Sequence, residues 1–134
     1  MFPGNKILLG LLHCKFSSGA KPGARIKDLY EVCGQAQKSI RWKHGGISRL
    51  VDHLRKRHNH WREEGDSRFL KGTLADLINI QRRSRTASVK FQVFIIQPGL
   101  KKSKISAEML RVLGSTVLYL EKTSQGELTV IGSE

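Results

Sequence analysis

Cysteine is scarce in this sequence, which has only Cys14 and Cys33 and no CxxC or HExxH spacing. Two cysteines inside apolar segments are typical of reduced, buried thiols, so neither a disulfide framework nor a zinc site is expected. The apolar run from Ile7 to Leu12 is too short to span a membrane, and it lacks the flanks of a signal peptide. These absences favour a cytoplasmic protein without a membrane partner.

Motifs for small-molecule chemistry are also missing. No glycine-rich phosphate loop occurs, and Gly45-Gly46 is the kind of pair that interrupts a helix. His13 and Cys14 are neighbours in a predicted strand, where successive side chains point to opposite faces, so they cannot form a catalytic pair. The sequence therefore gives no reason to expect a small-molecule substrate.

Acidic residues are few, with 11 Asp and Glu against 24 Lys and Arg, for a formal net charge of +13. The excess is uneven, because residues 1–104 carry a net charge of +15 and residues 105–134 carry −2. A basic body of this kind suits a polyanionic partner, and we expect DNA or RNA ahead of an anionic membrane.

Hydrophobic periodicity predicts an α/β fold in one domain, residues 1–134. Strands are expected at 6–16, 89–98 and 127–132, and helices at 25–43, 47–63, 73–84 and from Ser106 onward. The order β-α-α-α-β-α-β has helical crossovers between strands, which favours a small sheet of three or more strands with at least partly parallel pairing.

The first strand is apolar on both faces, which is typical of a central strand covered on both sides. A sheet of only three strands offers few neighbours to cover such a strand. We therefore expect further strands from outside this chain, including from a second copy that forms a homodimer through a sheet edge.

Helical spacing also predicts which side chains are buried. On the second helix, His58 and Trp61 fall on the apolar side, so both are expected to pack in the interior and His58 to be hydrogen-bonded. Thr73 and Asp76 have the spacing of a capping box, and Ser106 is expected to cap the last long helix. The buried stripe of the first helix is predicted to contain Ile26, Leu29, Tyr30, Cys33, either Ala36 or Gln37, and Ile40.

Lys15 ends the first apolar strand, where it projects to the same face as His13. A charged lysine at the end of a buried strand requires an anion or a carboxylate beside it. An apolar strand followed by His13-Cys14-Lys15, and then by a helix containing Gln35-Ala36-Gln37-Lys38, resembles the second half of the PD-(D/E)xK nuclease fold. Mrr-like restriction enzymes of that superfamily carry Gln-x-Lys at this motif, so a first position without a carboxylate has precedent.

The resemblance implies a restriction-endonuclease-like half with specific roles for these residues. Lys15 would match the catalytic lysine, His13 the motif's carboxylate position, and Gln35 or Lys38 the polar group of the following helix. The family binds magnesium through an Asp on an earlier strand, but this chain has no Asp or Glu before Asp28. The sequence therefore predicts an incomplete metal site, with Lys15 left as a lysine that faces phosphate.

Basic clusters give a separate prediction of nucleic-acid contact. They interleave with Trp42 and Trp61, either of which could stack on a base, although Trp61 is more easily placed in the core. No motif for base-specific readout occurs. The predicted phosphate-binding cations are Lys38, Arg41, Lys43, Arg55, Lys56, Arg57, Arg82, Arg83, Arg85, Lys101 and Lys102.

Three functions remain open from the sequence. The first is sequence-tolerant binding of DNA or RNA, which requires no cofactor. The second is a magnesium-dependent nuclease whose missing carboxylates come from a partner or from a segment outside this chain. The third is a small homo-oligomeric interaction module.

Overall fold

The computed structural model describes residues 5–16, 20–21, 23, 25–65 and 67–133. Most of the turn predicted at 17–24 lies outside these residues. The strands are β1 (Lys6–Cys14), β2 (Ser88–Ile96) and β3 (Glu127–Ile131). The helices are α1 (Ile26–Lys38), α2 (Ile40–His44), α3 (Gly46–Glu63), α4 (Leu74–Arg83) and α5 (Ala107–Ser124), with a 3-10 turn at Lys102–Lys104.

The predicted α/β class is confirmed, with a three-stranded parallel sheet in the order β1-β2-β3. The parallel register of β2 and β3 places Val93 beside Leu128 and Ile95 beside Val130. The order of elements differs in one place, because the single helix predicted at 25–43 is two helices. At Ser39 the backbone N–H bonds to the carbonyl of Ala36, which tightens the last turn of α1 before α2 begins.

The chain divides into two compact units, which are described separately. The first, called the helical unit, contains the described residues up to Ile7 together with Trp42–Lys90. The second, called the sheet unit, contains Leu8–Arg41 and the described residues from Phe91 onward.

The core of the sheet unit lies between β2 and the helices α1 and α5, which pack against each other. Phe91, Val93 and Ile95 alternate along β2 and are at most 3 % exposed, so one face of this strand is sealed by the helices. Leu120 of α5 and Val32 of α1 are fully buried in the same cluster. In the first turn of α5, the Ser106 hydroxyl accepts a hydrogen bond from the N–H of Met109, as its predicted cap requires.

The expectation that β1 is a covered central strand is wrong. It lies at the edge of the sheet, and its side chains alternate between half-buried and exposed. Leu9 and Leu11 pack against the core, whereas Leu8 and Leu12 are 63 % and 61 % exposed. Apolar residues on both faces of a strand predict that both faces can be buried, but not which molecule buries them.

The buried stripe of α1 also differs from the prediction. Tyr30 is 55 % exposed, whereas Asp28, which the predicted stripe does not contain, is fully buried. Leu29 and Cys33 are buried as expected. An acidic residue in the first turn complements the helix dipole, which helps to explain how a carboxylate can be buried there.

In the helical unit, α3 packs against α4. Ile47, Leu50 and Val51 form the buried side of α3. The predicted capping box of α4 is complete: the Thr73 N–H donates to Asp76 Oδ2 at 2.7 Å, and the Asp76 N–H donates to Thr73 Oγ1 at 3.3 Å. None of the helices within the described residues combines the length and apolar character needed to cross a bilayer.

Candidate nucleic-acid interface

Positive charge is concentrated in the helical unit. By sequence, its segments contain 13 Lys and Arg against 5 Asp and Glu, a net charge of +8, compared with +5 for the segments of the sheet unit. Because α3 buries only the side that carries Ile47, Leu50 and Val51, the predicted Arg55, Lys56 and Arg57 are all exposed. The helix therefore presents cations around most of its solvent-facing surface.

A second exposed group lies in the last turn of α4 and in the turn directly after it, and consists of Arg82, Arg83 and Arg85. Arg82 and Arg83 lie in the last helical turn, where positive side chains interact favourably with the helix dipole. The carbonyl oxygens of both accept hydrogen bonds from the turn that follows, at 3.0 to 3.3 Å, which fixes the backbone there. Three cations are thus held on a short, ordered segment.

These cations differ in whether a carboxylate neutralises them. Arg55 Nη2 lies 3.4 Å from Asp52 Oδ1, and both side chains are about half exposed. Within the described parts of the chain, no carboxylate pairs with the remaining five predicted cations of α3, α4 and the turn after α4. These five, called the unpaired cation set, are Lys56, Arg57, Arg82, Arg83 and Arg85.

In the helical unit, other side chains pack against the rings of both tryptophans. Trp61, which is expected to pack in the interior, is half-buried in the structure. The guanidinium of Arg68 lies 3.7 Å from the centre of its ring. Trp42 is half-buried and packs against His53, with ring centres 4.9 Å apart. One face of the Trp61 ring is therefore covered by a cation and not open to a nucleobase.

His58 packs as predicted but is not hydrogen-bonded as predicted. Its ring lies 4.6 Å from that of Phe69. Its buried Nδ1 has no hydrogen-bond partner among the residues that the structure describes. The ring contact with Phe69 is thus a packing interaction and not a hydrogen bond.

The remaining predicted cations are distributed over both units. In the sheet unit, Lys38 and Arg41 are exposed, Lys102 is exposed, and Lys101 is half-buried in the loop after β2. Lys43 belongs to the helical unit and is half-buried. Six of the eleven predicted cations therefore lie on α3, on α4 or in the turn directly after α4, and the rest lie elsewhere.

Lys15 has a carboxylate partner within the chain. Its Nζ lies 2.6 Å from Glu31 Oε2, and the two side chains are 28 % and 41 % exposed. The hydrogen bond to Glu31 raises the pKa of Lys15, and the charges of Glu31 and Asp28 act in the same direction. This ion pair supplies the anion that a lysine at the end of an apolar strand requires.

His13 is held by Ser39 in the same unit. His13 Nε2 is hydrogen-bonded to Ser39 Oγ, and Ser39 is only 3 % exposed. The Ser39 hydroxyl donates to the Gln35 carbonyl at 3.2 Å, so His13 Nε2 is the donor in the pair. Burial lowers the pKa of His13, which favours a neutral ring. This pair is arranged as a structural bridge and not as a serine nucleophile with its base.

The predicted residues at the end of β1 do not fit a magnesium ion. Magnesium requires oxygen ligands in near-octahedral geometry. Glu31 is engaged by Lys15, Asp28 is fully buried, and His13 offers only nitrogen, which is bonded to Ser39. Over the described ranges, no group of three or more His, Cys, Asp and Glu residues could hold a metal ion. Gln35 contributes its backbone carbonyl to this region, while the residue itself is exposed.

The two cysteines are free and occupy different environments. Cys33 is buried in α1, and this burial raises the pKa of its thiol. Cys14 is exposed, so the prediction that both thiols are buried is wrong for it. The reason is the same as for Leu8 and Leu12, because Cys14 lies on the open face of an edge strand.

A groove of about 680 Å³ runs between α1 and α5 in the sheet unit. Gly34 and Ser115 leave space there, and Tyr30, Glu108 and Arg111 are among the residues that line it. The side chain of Gln37 crosses to Thr116, with its Nε2 donating to Thr116 Oγ1 at 3.3 Å. The groove therefore has a mixed polar and apolar lining, and this hydrogen bond links its two walls.

Three residues of chemical interest were missed by sequence reasoning. Ser39 and Glu31 are the partners of His13 and Lys15, and each lies at least 16 residues away in sequence. Gln97 at the end of β2 is 1 % exposed, and its amide has no hydrogen-bond partner among the described residues. A polar residue directly after an alternating apolar strand was the available signal for Gln97.

Comparison with known proteins does not add a family to these observations. No protein-family model, curated protein or solved structure matches this chain.

Proposed function

We propose that this protein binds nucleic acid without base-specific readout, through the exposed cations of α3 and α4. The observation that carries the proposal is the unpaired cation set, which lies in a unit whose net charge is +8. Cations that are already neutralised by carboxylates gain little from a phosphate, whereas unpaired ones release counterions when they bind it. The proposal includes a cytoplasmic location, where both thiols would stay reduced.

The scaffold is proposed to be a restriction-endonuclease-like half without its metal-binding strand. This is supported by the β1–α1 order and by the lysine that ends β1. Because Lys15 is paired with Glu31, the binding surface is assigned to α3 and α4 and not to the end of β1.

The test is a titration of labelled single- and double-stranded DNA and RNA over a series of salt concentrations. We expect affinity to fall steeply with salt, with a slope of about 0.9 per neutralised phosphate for duplex DNA and about 0.7 for a single strand. Affinity that does not depend on salt, or no binding at low salt, would contradict the proposal. A parallel series with magnesium, followed by gel analysis, tests the nuclease alternative: cleavage would require carboxylates from a partner or from another segment.

A further inference from the structure

The outer edge of β1 has a regular backbone pattern that follows from its pairing with β2. The Lys15 N–H donates to the Ile96 carbonyl at 3.2 Å, and the Asn5 carbonyl accepts from the Ser88 N–H at 3.0 Å. Odd-numbered residues of β1 therefore direct their backbone groups toward β2. Because this direction alternates along a strand, the even-numbered residues direct theirs away from the sheet. Leu8, Gly10 and Leu12 thus present the outward hydrogen-bonding groups.

The sequence of this edge is symmetric about Gly10, reading Leu8-Leu9-Gly10-Leu11-Leu12. We propose that β1 pairs with β1 of a second copy, antiparallel and with its two-fold axis at Gly10. This register pairs even residues with even residues, as the outward backbone groups require. It also sets leucine against leucine at every position from 8 to 12 apart from the central glycine pair.

Side-chain exposure supports this occupant. Leu8 and Leu12 are 63 % and 61 % exposed, and the register places Leu8 of one copy directly beside Leu12 of the other on the open face. Each leucine would therefore lose contact with water in an isologous interface. In a register shifted by two residues, Leu8 would lie opposite Gly10 or Cys14 of the other copy and no longer opposite Leu12.

The charges of β1 also favour a second copy. Edge strands commonly avoid association by placing lysine or proline on the edge, and residues 7–12 contain neither. In the proposed register Lys6 lies opposite Cys14, His13 opposite Ile7 and Lys15 opposite Asn5, so no like charges face each other. Residues 7–12 form an uncharged segment in a chain of net charge +13, so two copies can approach there without direct repulsion between facing charges.

Cysteine cross-linking tests both the dimer and its register. In a Cys14→Ser background, Gly10→Cys places two thiols across the two-fold axis, where a Cα separation of about 5.5 Å suits a disulfide. A Cβ at position 10 would lie 3.5 Å from Phe94 Cε2, an ordinary contact, so the substitution is expected to be tolerated. We expect efficient disulfide-linked dimers from Gly10→Cys, and from a mixture of Leu8→Cys with Leu12→Cys, but not from either leucine variant alone.

Sedimentation equilibrium tests the interface without a cross-link. The wild-type chain should reach twice its 15.1 kDa mass as its concentration rises, and higher salt should strengthen the association. The double variant Leu8→Lys, Leu12→Lys should weaken it by about tenfold or more, because like charges then face each other. Leu118→Lys, at a position 55 % exposed on α5, is the matched control and should leave it unchanged. A chain that stays monomeric, or cross-linking by Leu8→Cys alone as efficient as by Gly10→Cys, would overturn the proposal.

Discussion

Replacing the three arginines at the end of α4 by alanine gives the sharpest test of the proposed interface. Arg82, Arg83 and Arg85 are exposed, lie within four residues of each other, and have no carboxylate partner in the described part of the chain. If all three contact phosphate in a duplex, the slope of log affinity against log salt should decrease by about 2.7, from about 0.9 for each contact.

The size of this change can be measured as a ratio. Between about 50 and 200 mM salt, a slope difference of about 2.7 narrows the gap between the wild-type and variant affinities by about 40-fold. Fluorescence anisotropy with a labelled duplex measures both affinities directly. Lys122→Ala is the matched control, because this exposed lysine of α5 lies in the segment 105–134 of net charge −2 and should leave the slope unchanged.

Stability must be followed in the same variants. Removing cations from the last turn of α4 loses a dipole interaction of about 0.3–1 kcal/mol for each residue in that turn. Circular dichroism should therefore show a helical protein with a modestly lower midpoint of unfolding. An unchanged salt slope in a folded triple variant that still binds would refute the assignment of the interface to α4.

Three further predictions concern the sheet unit. Lys15→Ala should leave the salt slope of nucleic-acid binding unchanged, because this lysine pairs with Glu31, and a reduced slope would show that it contacts phosphate. Burial lowers the pKa of His13 from its ordinary value of 6.5, so the unfolded chain binds a proton more readily than the folded one and the wild type should lose stability as the pH falls below about 6.5. His13→Gln should reduce this loss, measured by thermal unfolding between about pH 7.5 and 5. Gly132→Ala should destabilise the unit by about 1–3 kcal/mol in denaturant unfolding, because its Cβ would lie 2.1 Å from the Leu100 carbonyl oxygen, and an unchanged midpoint would contradict this packing.

The long elements of this fold were predictable from sequence because their periodicity and their ends agree. Thr73 and Asp76 mark the start of α4, and Ser106 marks the start of α5, each by a hydrogen bond that the structure contains. The break at Ser39 was not predictable in this way. Ser39 is hydrogen-bonded to His13 of β1, and a contact with another element has no local signal in the sequence.

The candidate site was predictable only at the level of charge. Exposure of Arg55, Lys56 and Arg57 follows from the apolar side of α3, which the sequence shows. The ion pair of Lys15 does not follow, because Glu31 lies 16 residues further along the chain on another element. Sequence patterns identify which side chains need a partner, whereas the three-dimensional fold decides which residue provides it.

Added salt should have opposite effects on the two proposed contacts of this chain, nucleic-acid binding and dimerisation through β1. Phosphate binding by unpaired cations such as Arg57 and Arg83 releases counterions, so added salt weakens it. Pairing of two copies through Leu8–Leu12 brings together two chains of net charge +13, so salt weakens their repulsion and the apolar contact is retained. At low salt, bound nucleic acid would itself neutralise that repulsion and favour the dimer. In the absence of nucleic acid, dimerisation that weakens with added salt would therefore indicate an interface built from charges, and not from the symmetric leucines of β1.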